Sequence, residues 1–408
     1  MDEELRMGSV GLVLRRARAG AALLLTIVAL ATVATGIIAG TLGYSQAAAT
    51  TAAREALTGS DPTESAVRAR TRLAAEEQAR PVQDATARRV ITETFAPAAV
   101  TVQRTVVSEP RPVAGQERDV VAWAGDWLRP DGEDPAVEVV AGSWPDTAAG
   151  AGQDAAGAAV PGALHAGAAE LWELAVGDEL EVDGSTVTVA ALWRPVDPTE
   201  PRWFGEALVD TGVVEGEAGP LVMGEAAVAA LGPAPFVHWT VRPDPDRLEP
   251  AHMAGLAGAA EALQDALKVP EVDHRGVLVE GDLAPTTATA ARNLATAQAL
   301  GAIPVALLLL VSVIAVVQIA RLQAAARTSD VEVLVARGAS RRQLLVWSLL
   351  ESVVVAVVAT LLGLAVAFAV VAAVPAGDQQ GPTLVRAAVG TGTVRIMAAN
   401  RRYIGTEP

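Results

Sequence analysis

The run LGAIPVALLLLVSVIAVVQIA (300–320), the loop RLQAAARTSDVEVLVARGASRRQ (321–343) and the run LLVWSLLESVVVAVVATLLGLAVAFAVVAAV (344–374) decide the fold. A bilayer core of about 30 Å takes about 20 helical residues to cross. Both apolar runs reach that length, so the pair reads as a membrane hairpin. The loop between them carries its own helix signals. Ser329 and Glu332 have capping-box spacing in front of Val333–Ala336, and Gly338 stands where a helix end turns left-handed. Ser340 and Gln343 form a second box that opens the next helix. A short, doubly capped helix between two membrane helices suggests a surface for a cytoplasmic partner.

The chain has 408 residues, is 51% hydrophobic and has a formal net charge of -16. The absence of cysteine excludes a disulfide framework, a thiol nucleophile and cysteine metal sites. Lys268 is the only lysine in a chain rich in Ala, Val, Gly and Arg, a composition typical of a high-GC bacterium. Residues 44–296 hold 39 acidic and 18 basic side chains. That acidity argues against nucleic acid as a partner, because such binding neutralises phosphates with Lys and Arg. It fits a solvated surface kept soluble by charge.

Residues 19–43 carry no charge and follow Arg6, Arg15, Arg16 and Arg18. A signal peptide cleaved near Ser45–Ala48 is the competing reading, but a signal core is about 7–15 residues and this run is longer. The expectation is a retained transmembrane helix with its N-terminus in the cytoplasm. The second span (297–320) then returns inward. The loop 321–343 should be cytoplasmic, and its five arginines against Asp330 and Glu332 agree with that side. Gly36 and Gly40 have the small-xxx-small spacing that lets helices approach closely.

The region between the first two spans is expected to be an α+β domain outside the membrane. Residues 46–57 extend the first helix outward, and Asp61-Pro62-Thr63-Glu64 signals a helix running to Arg80, ended or kinked by Pro81. Strands are expected at 100–107, 136–140, 207–209, 221–223, 237–241 and 276–279, with helices at 164–174 and 250–267. Residues 148–157 read as a loop, and Asp183-Gly184 as a hairpin turn inside 176–193. A trailing helix from Pro285 continues into the second span, where Pro304 predicts a kink.

No catalytic site is signalled. His165, His238, His252 and His274 share no metal-ligand spacing and read as surface or loop residues. No phosphate-binding G-x-x-x-x-G-K-[ST] and no G-x-S-x-G elbow occurs. The adjacent Glu76 and Glu77 read as solvation. No cofactor, metal or enzymatic activity is expected. Seven tryptophans, from Trp123 to Trp239, lie in the outer region and read as core in preference to a binding groove. Glu351 sits about two turns, ~10 Å, into the third span. A carboxylate there costs at least ~2.5 kcal/mol on insertion scales. It is either an interfacial acid paired with Arg341 or Arg342, or a contact that positions neighbouring helices.

DVEVLVARGASRRQLL (330–345), followed by Leu349–Glu351 and Gly363, resembles the FtsX-like permease family, the membrane subunits of MacB- and LolC-type ABC transporters. In that family the loop is a coupling helix against the ATPase and reads roughly E-x-x-x-L-R-A-x-G-A-S. Asp330 falls at the acid position, and Leu334, Ala336, Gly338, Ala339 and Ser340 match. Val335 stands where the family has arginine, and Arg337 follows two residues on. VVAGSWP (139–145) is similar to a G-x-W-P segment of the family's outer domains, and LAVGDEL (174–180) to their hairpin entry.

The resemblance implies an α-helical membrane protein with an inserted α+β extracytoplasmic domain, multi-pass in the bacterial plasma membrane. Its parts are a cytoplasmic N-terminus (1–18), spans 19–43, 297–320 and 344–374, the outer domain (44–296), the coupling loop (321–343) and a polar tail (375–408). The family has four membrane helices and three are predicted here, so a truncated copy is expected. Asp330, Glu332, Leu334, Arg337, Gly338, Ala339 and Ser340 would contact the ATPase, a separate chain. The other implied partners are a second permease copy, as homo- or heterodimer, membrane lipid, and an extracytoplasmic peptide, lipoprotein or hydrolase. The function implied is export or mechanotransmission. The alternative is a membrane-anchored sensor or scaffold that transports nothing.

Overall fold

VRARTR (67–72) forms the strand around which one end of the sheet is built. In the computed structural model, which describes residues 2–132, 134–145, 159–326, 353 and 356–369, it is β1 (Val67–Arg72). Burial alternates strictly along it, with Val67, Ala69 and Thr71 inward. This overturns the helix expected over 61–80. Pro62–Ser65 is α-helical there (α2), and a single 3-10 turn, Glu77–Ala79, precedes the next helix. The Arg- and Ala-rich composition favours helix, but pairing on both sides dictates strand, since β preference follows from packing against neighbours. Pro81 likewise opens a helix, α3 (Arg80–Phe95), where a fixed φ is an asset.

The other strands are β2 (Val100–Val107), β3 (Asp119–Ala124), β4 (Val137–Gly142), β5 (Val160–His165), β6 (Glu179–Val182), β7 (Ser185–Pro195), β8 (Val213–Val214), β9 (Glu217–Val222), β10 (Phe236–Pro243) and β11 (Leu278–Glu280). They form one sheet in the order β11-β1-β10-β2-β3-β9-β5-β7-β4, with β6 on β7 and β8 on β9. The pairs β3–β9 and β5–β7 are parallel and the rest antiparallel, so this is a mixed-sheet α+β unit. Asp183 (φ 49°) and Gly184 (φ 81°) make the expected hairpin turn between β6 and β7.

The expected strand at 207–209 is instead a helical turn, α5 (Ala207–Thr211), closed by left-handed Gly212. Three apolar residues do not distinguish the two periods, and the Gly212 amide bonding back to the Leu208 carbonyl decides for helix. Of 164–174, Leu164 and His165 end β5, and α4 (Ala166–Trp172) follows. The remaining helices are α1 (Asp2–Thr58), α6 (Glu225–Ala230), α7 (His252–Ala266) and α8 (Leu283–Ala326).

The sheet has a core on each face. One joins Val67, Ala69, Val106, Trp239 and Val241 to Ala53 and Leu57 of α1, Ile91 and Phe95 of α3, Met253 and Leu263 of α7, and Leu283 of α8. The opposite face carries a smaller core of Val121, Trp123, Trp193, Trp203 and Leu208. In the middle strand β3, residues 120–124 are all buried, as a strand covered on both sides requires.

These elements belong to one of two compact units, residues 46–300; residues 1–45 and 301–408 make the other. In the second unit, α1 packs on α9 (Ala356–Ala369) through small residues. Ala359, Gly363 and Ala367 are the buried positions of α9, at i, i+4 and i+8. Gly36 meets Gly363, a Cβ on which would lie 2.6 Å from that of Thr35, and the Thr32 hydroxyl donates to the Ala359 carbonyl at 3.4 Å. Gly40, its partner in the spacing, meets nothing within 4 Å. Among the described residues one helical stretch, Leu283–Gln318, is long and apolar enough to cross a membrane, and its most apolar window is unburied. A helix hydrophobic all round needs an apolar surrounding. Pro304 lies inside that helix.

Gly281, between β11 and α8, has φ +116°, and a Cβ there would stand 2.7 Å from the Ala66 carbonyl oxygen. Gly281→Ala is therefore expected to cost about 2 kcal/mol or more. The loss should be read as a lowered thermal midpoint of tryptophan fluorescence for the full chain in detergent, with Gly276→Ala, which meets no atom within 4 Å, as the milder comparison.

Candidate functional site

On the sheet face away from α3 and α7, the side chains of β1, β10, β2 and β3 leave a cavity of about 170 Å³. Its floor includes Arg68, His238, Thr240, Thr105 and Trp123. The roof comes from the turn Pro201–Trp203 and from Glu206 and Leu208 at α5. Arg68 pins the two together. It donates to Glu206 at 3.2 Å and to the Trp203 carbonyl at 3.1 Å, with its guanidinium 4.4 Å from the Phe204 ring centre. The roof is itself held down by Arg202, which is 6% exposed at the side chain and paired with Asp134 and Glu200.

Tryptophans supply both core and wall. Trp193, Trp203 and Trp239 are fully buried, whereas Trp127 is only partly so. Trp127 and Trp203 lie 5.0 Å apart by ring centres, and Trp203 stacks on Trp193 at 6.2 Å. Trp203 donates to the Asp197 carbonyl at 2.8 Å, and Trp127 to Thr105 at 3.1 Å. The expected choice of core over groove therefore holds for most of the set, while Trp123, Trp127 and Trp203 also line the cavity.

The charged groups lining the cavity are two guanidiniums, Arg68 and Arg202, and two carboxylates, Glu206 and Glu217. Burial pulls the Arg68 guanidinium below its usual value, against the attraction of Glu206. Burial, and then Arg68 and Arg70, push His238 down to about 3, so it adds no positive charge. Glu217 is raised by burial, then by Glu206 and Asp119. Asp119 stands directly opposite Glu217 in the β3–β9 register, and like charges so placed are destabilising.

His165, expected at the surface, is 3% exposed. Its Nδ1 accepts from the Gly167 amide at 3.1 Å, and its ring meets Trp193 edge-on at 5.1 Å. A Cβ on Gly212 would come 2.1 Å from that nitrogen, so the α5 turn closes on the imidazole. An isolated His at the end of an apolar strand looks the same in sequence whether exposed or buried. A second cavity of about 460 Å³ is lined by Trp144 and Pro145 together with Arg104 and Glu225, which form a two-bond pair at 2.6 and 3.0 Å. Glu76 and Glu77 are exposed. Among the described residues no His, Asp and Glu cluster suited to a metal occurs.

The expected coupling residues Asp330, Glu332, Leu334, Arg337, Gly338, Ala339 and Ser340, and the intramembrane Glu351, lie outside the described residues. So do the loop expected at 148–157 and the tail. The sequence itself bears on them. Residues 302–400 match the family described as FtsX-like permease C-terminal. The FtsX-like match takes in the loop 321–343 and the third predicted span. Among solved structures, the chain matches the extracellular domain of the noncanonic ABC-type transporter YknZ from Gram-positive bacteria. That match has a TM-score of 0.30 and 12% identity, over 53% of this chain and 100% of that one. No curated protein matches the chain.

Burial of His165 makes stability depend on pH. The imidazole is pushed down to about 4 in the fold, while an unfolded His titrates near 6.5. The unfolded chain thus binds the extra proton first. Stability is full above about pH 6.5 and falls on acidification towards pH 4, by up to about 3 kcal/mol. His238 acts in the same direction. Thermal midpoints measured between pH 7.5 and 4.5 should fall, and His165→Asn should flatten the decline while lowering the midpoint at neutral pH.

Proposed function

We propose that the chain is the permease subunit of an ABC transporter, coupling ATP hydrolysis by a separate ATPase to movement of the mixed-sheet domain. The observation that carries this reading is the FtsX-like match over 302–400, which contains the capped loop. On this reading the protein is multi-pass, with three spans in the chain, its N-terminus and the loop 321–343 in the cytoplasm, and the sheet on the other side. Arg321, Arg327, Arg337, Arg341 and Arg342 support that sidedness. The helix from Asp330 to Arg337 enters a groove of the ATPase, Gly338 to Ser340 turn the chain into the third span, and Glu351 orients neighbouring helices. ATPase closure tilts the second and third spans, and α8 carries the tilt to Leu283 in the core beneath the sheet. A second permease copy completes the transporter in the lipid bilayer.

Two experiments test this. Co-purification with an ATPase encoded beside the gene should drop at least tenfold for the combined Asp330→Arg and Gly338→Pro variant, at equal membrane yield. Unchanged association would remove the coupling role. Sidedness is accessible because the chain has no cysteine. Asp265→Cys, at a side chain 84% exposed, should react with a membrane-impermeant maleimide on intact cells, and Ser329→Cys only after permeabilisation. Labelling of both from outside would contradict the topology.

A further inference from the structure

The cavity under Trp203 has a chemical bias that packing alone does not explain. Its two cations are already neutralised, Arg68 by Glu206 and Arg202 by Asp134 and Glu200. The carboxylate of Glu217 also lines it and has no Lys or Arg within ion-pair distance among the described residues. Asp119 across the strand pair and Glu206 across the cavity add like charge to Glu217. A half-buried carboxylate among other carboxylates is a standing cost to the fold unless a cation joins it. Three indoles, Trp123, Trp127 and Trp203, stand among the remaining lining residues, and indoles attract cations at their faces. Trp123, 5% exposed, also borders the cavity, and its indole N–H has no hydrogen-bond partner.

We infer that this cavity binds a small ligand with a primary ammonium group beside a carbonyl or carboxylate oxygen, the chemistry of an α-amino acid or of a free peptide amino terminus. The ammonium sits on Glu217, the indoles of Trp127 and Trp203 flank it, and the neighbouring oxygen accepts from Trp123. Size agrees. A cavity of roughly 150 Å³ holds a molecule as large as benzene, and about 170 Å³ admits an amino-acid-sized group. Neutral His238 adds no further positive charge to the floor, where Arg68 is paired with Glu206. This inference stands on the sheet unit and does not depend on the permease reading.

The test uses the full chain in detergent at pH 7.5, read by tryptophan fluorescence and calorimetry. The probes are alanine, alanine amide, trialanine and N-acetylalanine. Alanine amide should bind and N-acetylalanine should not, because acetylation removes the charge and keeps the oxygen. Equal binding of alanine and trialanine indicates that the free ammonium end suffices. Binding of trialanine alone assigns the site to peptide termini, and binding of alanine alone to free amino acids. Glu217→Gln should weaken binding at least tenfold while raising the thermal midpoint of the unliganded protein, since it relieves the repulsion with Asp119. Trp123→Phe should weaken it several-fold. Binding of N-acetylalanine as tight as that of alanine amide, unchanged affinity in Glu217→Gln, or no binding by any probe would overturn the assignment.

Discussion

Three backbone-paired positions govern the sheet unit: Arg68, Ala69 and Arg70 against Glu280, Val279 and Leu278. β1 is the first strand after α1, and β11 the last before α8, so this pairing brings together segments some 200 residues apart in sequence. The Asp282 amide donates to the Thr63 carbonyl at 2.7 Å just beyond the strands, and Arg70 pairs with Glu280 across them at 3.1 Å. Ala53 and Leu57 of α1 share a core with Leu283 of α8, and Ala290, Ala291 and Leu294 pack against it. The exposed ion pair adds little by itself. The backbone pairing and shared core hold the two helices to one sheet edge.

The two faces of the sheet reach burial by different means. Under the helices the core is mostly aliphatic, with Phe95, Trp172 and Trp239 among it. On the other face the described cover is short turns and the brief helix α5, and bulky indoles fill much of the space beneath them. Tryptophan suits that role because it brings a large apolar area and an N–H that reaches nearby carbonyls, as Trp193 does to Ala163 at 3.2 Å. Packing by few large groups under irregular backbone leaves space between them. The cavity beside Arg68 is where it remains.

Legibility in the sequence followed the strength of local signals. The strands at 100–107 and 236–243 and the Asp183-Gly184 hairpin announce themselves through β-branched runs and a turn dipeptide whose φ values admit few alternatives. β1 did not, because Arg and Ala at alternate positions satisfy a helical composition equally well and only β10 and β11 select the extended form. The cavity was illegible for a related reason. Its residues come from five strands and several connecting segments, and Asp119 meets Glu217 only through a parallel pairing that no local pattern encodes. The loop 321–343 is the opposite case, a contiguous motif readable by itself, and the FtsX-like match over 302–400 includes it.

These features bear on each other through β1. One face of this strand gives Val67 and Ala69 to the core that α1 and α8 share, and the other gives Arg68 to the cavity floor, from which it bonds to the roof. A ligand drawing on Glu217 and Glu206 would alter the balance that holds Arg68 to Glu206. Arg68 would then lean more on the Trp203 carbonyl and the Phe204 ring, and Phe204 in turn stands against Gly281, where a Cβ would lie 3.1 Å from its ring. Gly281 lies in the two-residue connection between β11 and α8. Within the sheet unit, cavity and helix base are thus joined by direct contacts through one arginine and one phenylalanine. In the transporter reading, occupancy of the cavity would be sensed at the foot of α8.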